Sequence, residues 1–105
     1  MTDHRVLPEV ACRVLRRDRM CMAAAFDGSH RCADQWGNPQ EPTEHLTIEH
    51  VRTDPGGARR SDELHLVALC WGANVVQHWG SSTENRALLN AYLAGVKAGQ
   101  THHEE

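Results

Sequence analysis

Leu46-Thr-Ile-Glu-His-Val51 and Leu64-His-Leu-Val-Ala-Leu-Cys70, with Asp54-Pro55-Gly56-Gly57 between them, decide how the rest of the chain is read. In the first run, β-branched residues alternate with polar ones and place Leu46 and Ile48 on one face, the pattern of a strand. The second is an apolar run of strand length. A proline followed by two glycines cannot sit inside a regular element, so the segment 52–61 must turn the chain. The two runs are therefore expected to pair as a hairpin with a long loop.

Beyond Cys70, the apolar spacing of Trp71-Gly-Ala-Asn-Val-Val-Gln-His-Trp79 predicts a short helix starting near Asn74. A longer helix follows, with Ser81 as its cap and Glu84 three residues on completing a capping box. Its buried stripe is Leu88, Leu89, Tyr92, Leu93 and Val96. Before the hairpin, Val10, Ala11, Val14 and Leu15 recur at helical spacing behind Pro8, which predicts a helix from Pro8 to about Arg17 with Cys12 as a small buried thiol. Met20 to Phe26 reads as a strand, and Asp27 to Thr43, rich in Gly, Pro, Asp, Asn and Ser, reads as an irregular loop. The fold class is α+β in a single domain over residues 1–99. Residues 100–105 read as a disordered polar tail, in which His102 and His103 have no expected role.

A chain of 105 residues suits one modest core, and so short a chain gains from a metal staple. It has no apolar run long enough to cross a membrane, and its first residues lack the apolar stretch of a secretion signal. The expectation is a soluble, cytoplasmic protein. In that compartment Cys12, Cys21, Cys32 and Cys70 read as thiols or metal ligands rather than disulfides. Eight histidines add neutral nitrogens of the kind metals and general bases use. The net charge of −3 argues against a protein that coats nucleic acid, but Arg13, Arg16, Arg17 and Arg19 are clustered and Arg59 adjoins Arg60. These are either phosphate contacts or solvated faces. Trp36, Trp71 and Trp79 either stack on bases or supply buried area, with Trp79 assigned to the core.

The pieces Leu46–Val51, Gly56-Gly57, Ser61–Cys70 and the Asn74 that follows resemble the HNH nuclease motif, over roughly a third of the chain from Leu46 to His78. The wider pattern of Cys21 after an arginine-rich helix, Cys32, Trp36-Gly37 and the run Asn85–Leu93 is similar to small HNH proteins encoded by bacteriophages of actinobacteria. The resemblance implies a ββα-metal (His-Me finger) hairpin plus helix, flanked by an N-terminal and a C-terminal helix. It makes His50 the general base, Glu49 and Asn74 ligands of a catalytic divalent ion, and His65 the residue that braces the loop and orients the base. His65 departs from the usual asparagine at that position. The implied activity is phosphodiester hydrolysis in DNA with Mg²⁺ or Mn²⁺, Ni²⁺ and Zn²⁺ being alternatives. The partners would be DNA and phage packaging (terminase) proteins, or the protein would be a mobile element, as a monomer or homodimer. Arg13, Arg16, Arg17, Arg59 and Arg60 would meet the DNA backbone.

The chemistry is consistent with these residue types. A neutral imidazole near its ordinary pKa can take a proton from water at cellular pH, and a carboxylate with a carboxamide gives the oxygen donors that Mg²⁺ prefers. Because neighbours on a strand point to opposite faces, Glu49 and His50 can address one point only if the strand ends or bends there. Family members often carry a zinc on two CxxC pairs, and here Ala73 replaces the partner of Cys70 while ten residues separate Cys21 from Cys32. Two readings stand: a zinc on Cys21, Cys32 and Cys70 with a fourth ligand from His30, His78 or Cys12, or buried thiols packing in the core. Two other functions compete with the nuclease: a degenerate HNH fold that grips DNA without cutting, and a zinc-ribbon interaction domain.

Overall fold

A computed structural model describes residues 6–51 and 62–103. The first helix, α1, spans Pro8–Asp18, with proline where a missing N–H costs nothing. Val10 and Val14, one turn apart, are buried, whereas Cys12 is exposed. Two residues of helix turn the side chain by roughly 200°, so Cys12 faces away from the valines and is not the buried thiol expected. The helix ends at Arg19, whose left-handed backbone (φ 64°) returns its N–H to Leu15 O.

Met22–Phe26, expected as a strand, is a short helix, α2. Met22 and the three alanines after it are strong helix formers and outweigh the phenylalanine. The chain then passes through turns to β1, Leu46–His50, which pairs antiparallel with β2, Leu66–Cys70, in a register setting Leu46 opposite Cys70 and His50 opposite Leu66. β2 starts later than expected because Asp62 caps a 3-10 turn over Glu63–His65, its carboxylate accepting from Leu64 N at 3.0 Å.

Every residue of β2 is buried, so both faces of the hairpin are covered. On one face, Leu66 closes with Val10 and Val14 of α1, and Ile48 packs against them. On the other, Val67 and Leu69 join a larger cluster with Leu89 and Leu93 of the last helix. That helix, α3, runs Thr83–His103 and so continues through residues 100–103 of the expected tail. Its cap is Ser82, whose hydroxyl accepts from Asn85 N at 3.1 Å, because Ser81 belongs to a 3-10 turn over Trp79–Ser81. Leu89 and Leu93 are buried but Leu88 is 42% exposed, so the buried stripe is narrower than predicted. Trp79 packs against the core as expected.

The outer edge of β2 would otherwise be an open strand edge. Asp18, nearly the last residue of α1 and itself buried, accepts from Ala68 N at 2.8 Å, and Arg17 donates to the carbonyls of Leu66 and Glu63. Two adjacent side chains thus supply the acceptor and donors that a third strand would have offered. Arg17 also forks onto Asp18 (Nε–Oδ1 2.7 Å), and the Tyr92 hydroxyl donates to the same carboxylate, tying α1, β2 and α3 together. Burial works against the Arg17 charge, but Asp18 and Tyr92 more than offset it and hold the guanidinium charged. Among the described residues, no helix is long and apolar enough to cross a membrane.

Candidate metal centre and hairpin site

Cys21, His30, Cys32 and Cys70 converge from three places in the chain, each offering one donor atom, with all four atoms within 4.8 Å of one another. Cys21 stands at the N-terminal end of α2, His30 and Cys32 in the following loop, and Cys70 at the end of β2. The loop is pinned around them by Cys21 N to Pro42 O at 2.7 Å, Gln40 N to Cys32 O at 3.1 Å and Gly72 N to Ala33 O at 3.0 Å. Gly72 eases that closure, since a Cβ there would lie 3.2 Å from the Cβ of Ala33, tighter than ordinary contact.

The donors are arranged for a cation. Cys70 Sγ lies 3.5 Å from His30 Nε2. A tetrahedral ion with bonds of about 2.3 Å to sulfur and about 2.0 Å to nitrogen sets such a pair about 3.5 Å apart. Ala73 N donates to Cys70 Sγ at 3.3 Å, so the residue found where a second cysteine was looked for serves the first one through its backbone. His30 resolves the open question of the fourth ligand, while His78 and Cys12 lie outside the cluster. The three sulfurs and one nitrogen can hold one metal ion.

Burial pushes the Cys21 thiol up, against backbone N–H groups of Cys70, Ala24 and Ala23 that favour its thiolate. Burial and the neighbouring sulfurs push Cys32 further up still. Burial lowers His30 despite the nearby Asp27, keeping its imidazole neutral and its lone pair available. In the metal-free protein these thiols therefore hold protons more tightly than in the unfolded chain, where they ionise near pH 8.5 or so. The stability this supplies is complete below that value and is lost as pH rises through the folded-state pKa values.

No protein-family model, curated protein or solved structure matches this chain.

The second group lies on the hairpin. Thr47 and Glu49 share one face with Leu69 and Val67, and His50 shares the other with Leu66. Asn74, in the single wide helical turn Gly72–Val76, donates through Nδ2 to Thr47 Oγ1 at 2.9 Å and to Ile48 O at 3.4 Å, and Thr47 Oγ1 donates onward to Leu69 O at 2.7 Å. The carboxamide is thereby brought to the Glu49 face. β1 ends at His50, as expected, but without a bend before it: Glu49 and His50 are both paired in the ladder, and Val51 N still donates to His65 O at 2.8 Å. Glu49 and His50, both half-buried, consequently stand on opposite sides of the hairpin.

His65 stands just before β2 at the connected end of the hairpin, with Nδ1 2.6 Å from Asp62 Oδ1. Of the arginines, Arg13 and Arg16 are exposed, Arg13 lying 3.5 Å from Glu63, whereas the guanidinium of Arg17 is spent inside the fold and is withdrawn from the surface set. Arg59 and Arg60, with the Asp54–Gly57 turn, lie outside the described residues. Sequence reasoning missed Asp18 altogether, because an aspartate at a helix end beside an arginine looks like any solvated pair.

Proposed function

We propose that the protein is a metal-dependent DNA endonuclease of the HNH type whose loop and hairpin are held together by a structural zinc on Cys21, His30, Cys32 and Cys70. The donor set of three thiolates and one imidazole is the closed, four-coordinate kind that zinc occupies structurally. It has no place for substrate, so any chemistry belongs to the hairpin.

The observation that carries the nuclease reading is Asn74 reaching the hairpin face on which Glu49 stands. These two oxygen-bearing side chains would hold Mg²⁺ or Mn²⁺, which when bound neutralises charge building on the scissile phosphate. His50 would take the proton of the attacking water, and His65, fixed by Asp62, positions the strand end that carries His50. Arg13 and Arg16 supply exposed positive charge for the DNA backbone.

A second reading, a DNA-binding module without cleavage, is favoured by the unbroken ladder through His50, which sets the base and Glu49 on opposite sides. Supercoiled plasmid incubated with the protein in Mg²⁺, Mn²⁺, Ni²⁺ or Zn²⁺ separates the two. Nicking should occur with the wild type and fall by about 10²- to 10⁴-fold for His50→Ala. Equal nicking by both proteins would reject His50 as base, and retarded migration without cleavage in every metal would establish the binding module.

A further inference from the structure

Between the Ala33–Pro39 loop and the start of β1 lies a cleft of about 440 Å³ lined by Trp36, Trp71, His45, Gln35, Asp34 and Thr47. That volume falls within the range of pockets that take small organic groups. The loop forming one wall is tightly built. Ala33 bridges to Pro39, Asp34 N donates to Asn38 O at 2.9 Å, Gly37 N donates to Asp34 O at 3.0 Å, and Asp34 Oδ1 accepts from both Trp36 N and Asn38 N at 2.9 Å. Gly37 makes the turn possible with φ 83°.

The consequence is a large aromatic ring held out in water. Trp36 is 75% exposed although the protein has few aromatic residues to fill its core. Trp71 stands half-buried in the same cleft, next to Gly72, whose N–H is bonded to Ala33 O in the first wall. His45 joins them with a left-handed backbone (φ 44°), a conformation that side chains beyond glycine rarely adopt. One Asp34 oxygen is occupied by its own turn, so the cleft offers two indoles, an imidazole, the Gln35 amide and the second Asp34 oxygen, an acceptor for the amino edge of a base. Such a set suits a flat ring with a polar edge: faces for stacking and hydrogen-bonding groups for the rim. Exposed Arg31 lines a second cleft that shares Ala33, Gly37 and Pro39 of this loop, and it offers positive charge of the kind that meets a phosphate.

We propose that this cleft takes an unpaired nucleobase of a nucleic-acid strand, stacked on Trp36; the proposal rests on the nucleic-acid function argued above. The metal centre and the cleft are then one device, because the loop that presents Trp36 begins at Cys32.

The test uses metal-loaded full-length protein and fluorescence anisotropy with two probes, a short single-stranded oligothymidylate and a blunt duplex of equal length. The wild type should prefer the single strand. Trp36→Ala should weaken that binding by about tenfold and remove the preference, whereas Trp36→Phe should keep most of it. Metal content and melting temperature should stay at wild-type values in both variants, as the ring is exposed. Equal single-strand affinity for wild type and Trp36→Ala, with duplex binding or nicking intact, overturns the cleft proposal alone. Concentration-dependent self-association abolished by Trp36→Ala also overturns it, in favour of a second copy covering the indole. Failure of the wild type to bind either probe removes the nucleic-acid reading itself.

Discussion

Stripping the proposed zinc from Cys21, His30, Cys32 and Cys70 should unfold the protein. A structural zinc in a small domain contributes about 10–16 kcal/mol of binding free energy at neutral pH, comparable with or larger than the 5–15 kcal/mol or so of net stability a folded chain usually has. The four ligands join α2, the loop carrying His30 and Cys32, and the end of β2, so losing the ion releases all three from one another. The apolar cluster around Val67, Leu69 and Leu89 reaches the same cysteines, and three sulfurs packed without an ion are a poor substitute for metal bonds. Chelation should abolish the cooperative thermal transition or lower its midpoint by more than about 20 °C, and Cys70→Ser should do the same. Metal analysis should find one zinc per chain in the wild type and in Cys12→Ser, whose thiol is exposed and outside the cluster. A chelated protein that melts within a few degrees of the loaded one would show that the site is not structural.

The second large effect is at Asp18. Its carboxylate is buried and receives the backbone N–H of Ala68, the Arg17 guanidinium and the Tyr92 hydroxyl. Asp18→Ala leaves the Arg17 cation half-buried without its counter-ion and the edge N–H of β2 without an acceptor. Breaking a buried pair from one side costs about 3–5 kcal/mol, which in a domain of this size lowers the melting temperature by roughly 15 °C or more. Tyr92→Phe should cost about 1 kcal/mol, since it removes one hydrogen bond and leaves the ring packed against Phe26 and beneath Arg17. Asp18 also raises the tyrosine: burial first, then the hydrogen bond to that carboxylate, push its pKa to about 12. Asp18→Ala should bring the Tyr92 ultraviolet titration back toward 10. If Asp18→Ala and Tyr92→Phe cost the same small amount, the edge-capping account of Arg17 and Asp18 is wrong.

Local chemistry made the hairpin, α1 and α3 legible in the sequence. Pro8, the valine spacing after it, and the β-branched alternation of Leu46–Val51 each act within a few residues and point to one conformation. Met20–Phe26 was misread because its helix rests on alanine propensity over a single turn, too short for a periodic signal. The helix cap moved from Ser81 to Ser82 because the preceding Trp79–Ser81 turn claims the earlier serine. Three of the four metal ligands were recognisable as cysteines lacking disulfide context. His30 was one candidate among three, and its spacing to Cys32 in His-Arg-Cys was the signal that could have chosen it.

By itself, then, the chain of residues determined α1, the two strands of the hairpin and α3, and which side chains have the chemistry for a metal, a proton transfer or a phosphate. Only the folded structure decided which of them meet. His30 rather than His78 joins the sulfurs, Asn74 reaches the Glu49 face, and Arg17 turns inward to Asp18 while Trp36 turns out to solvent. Propensity and capping act between near neighbours, so a sequence displays them directly. Ligand geometry and edge pairing act between residues some 40 to 74 apart, as His30–Cys70 and Asp18–Tyr92 are, and depend on the packing of every element between them.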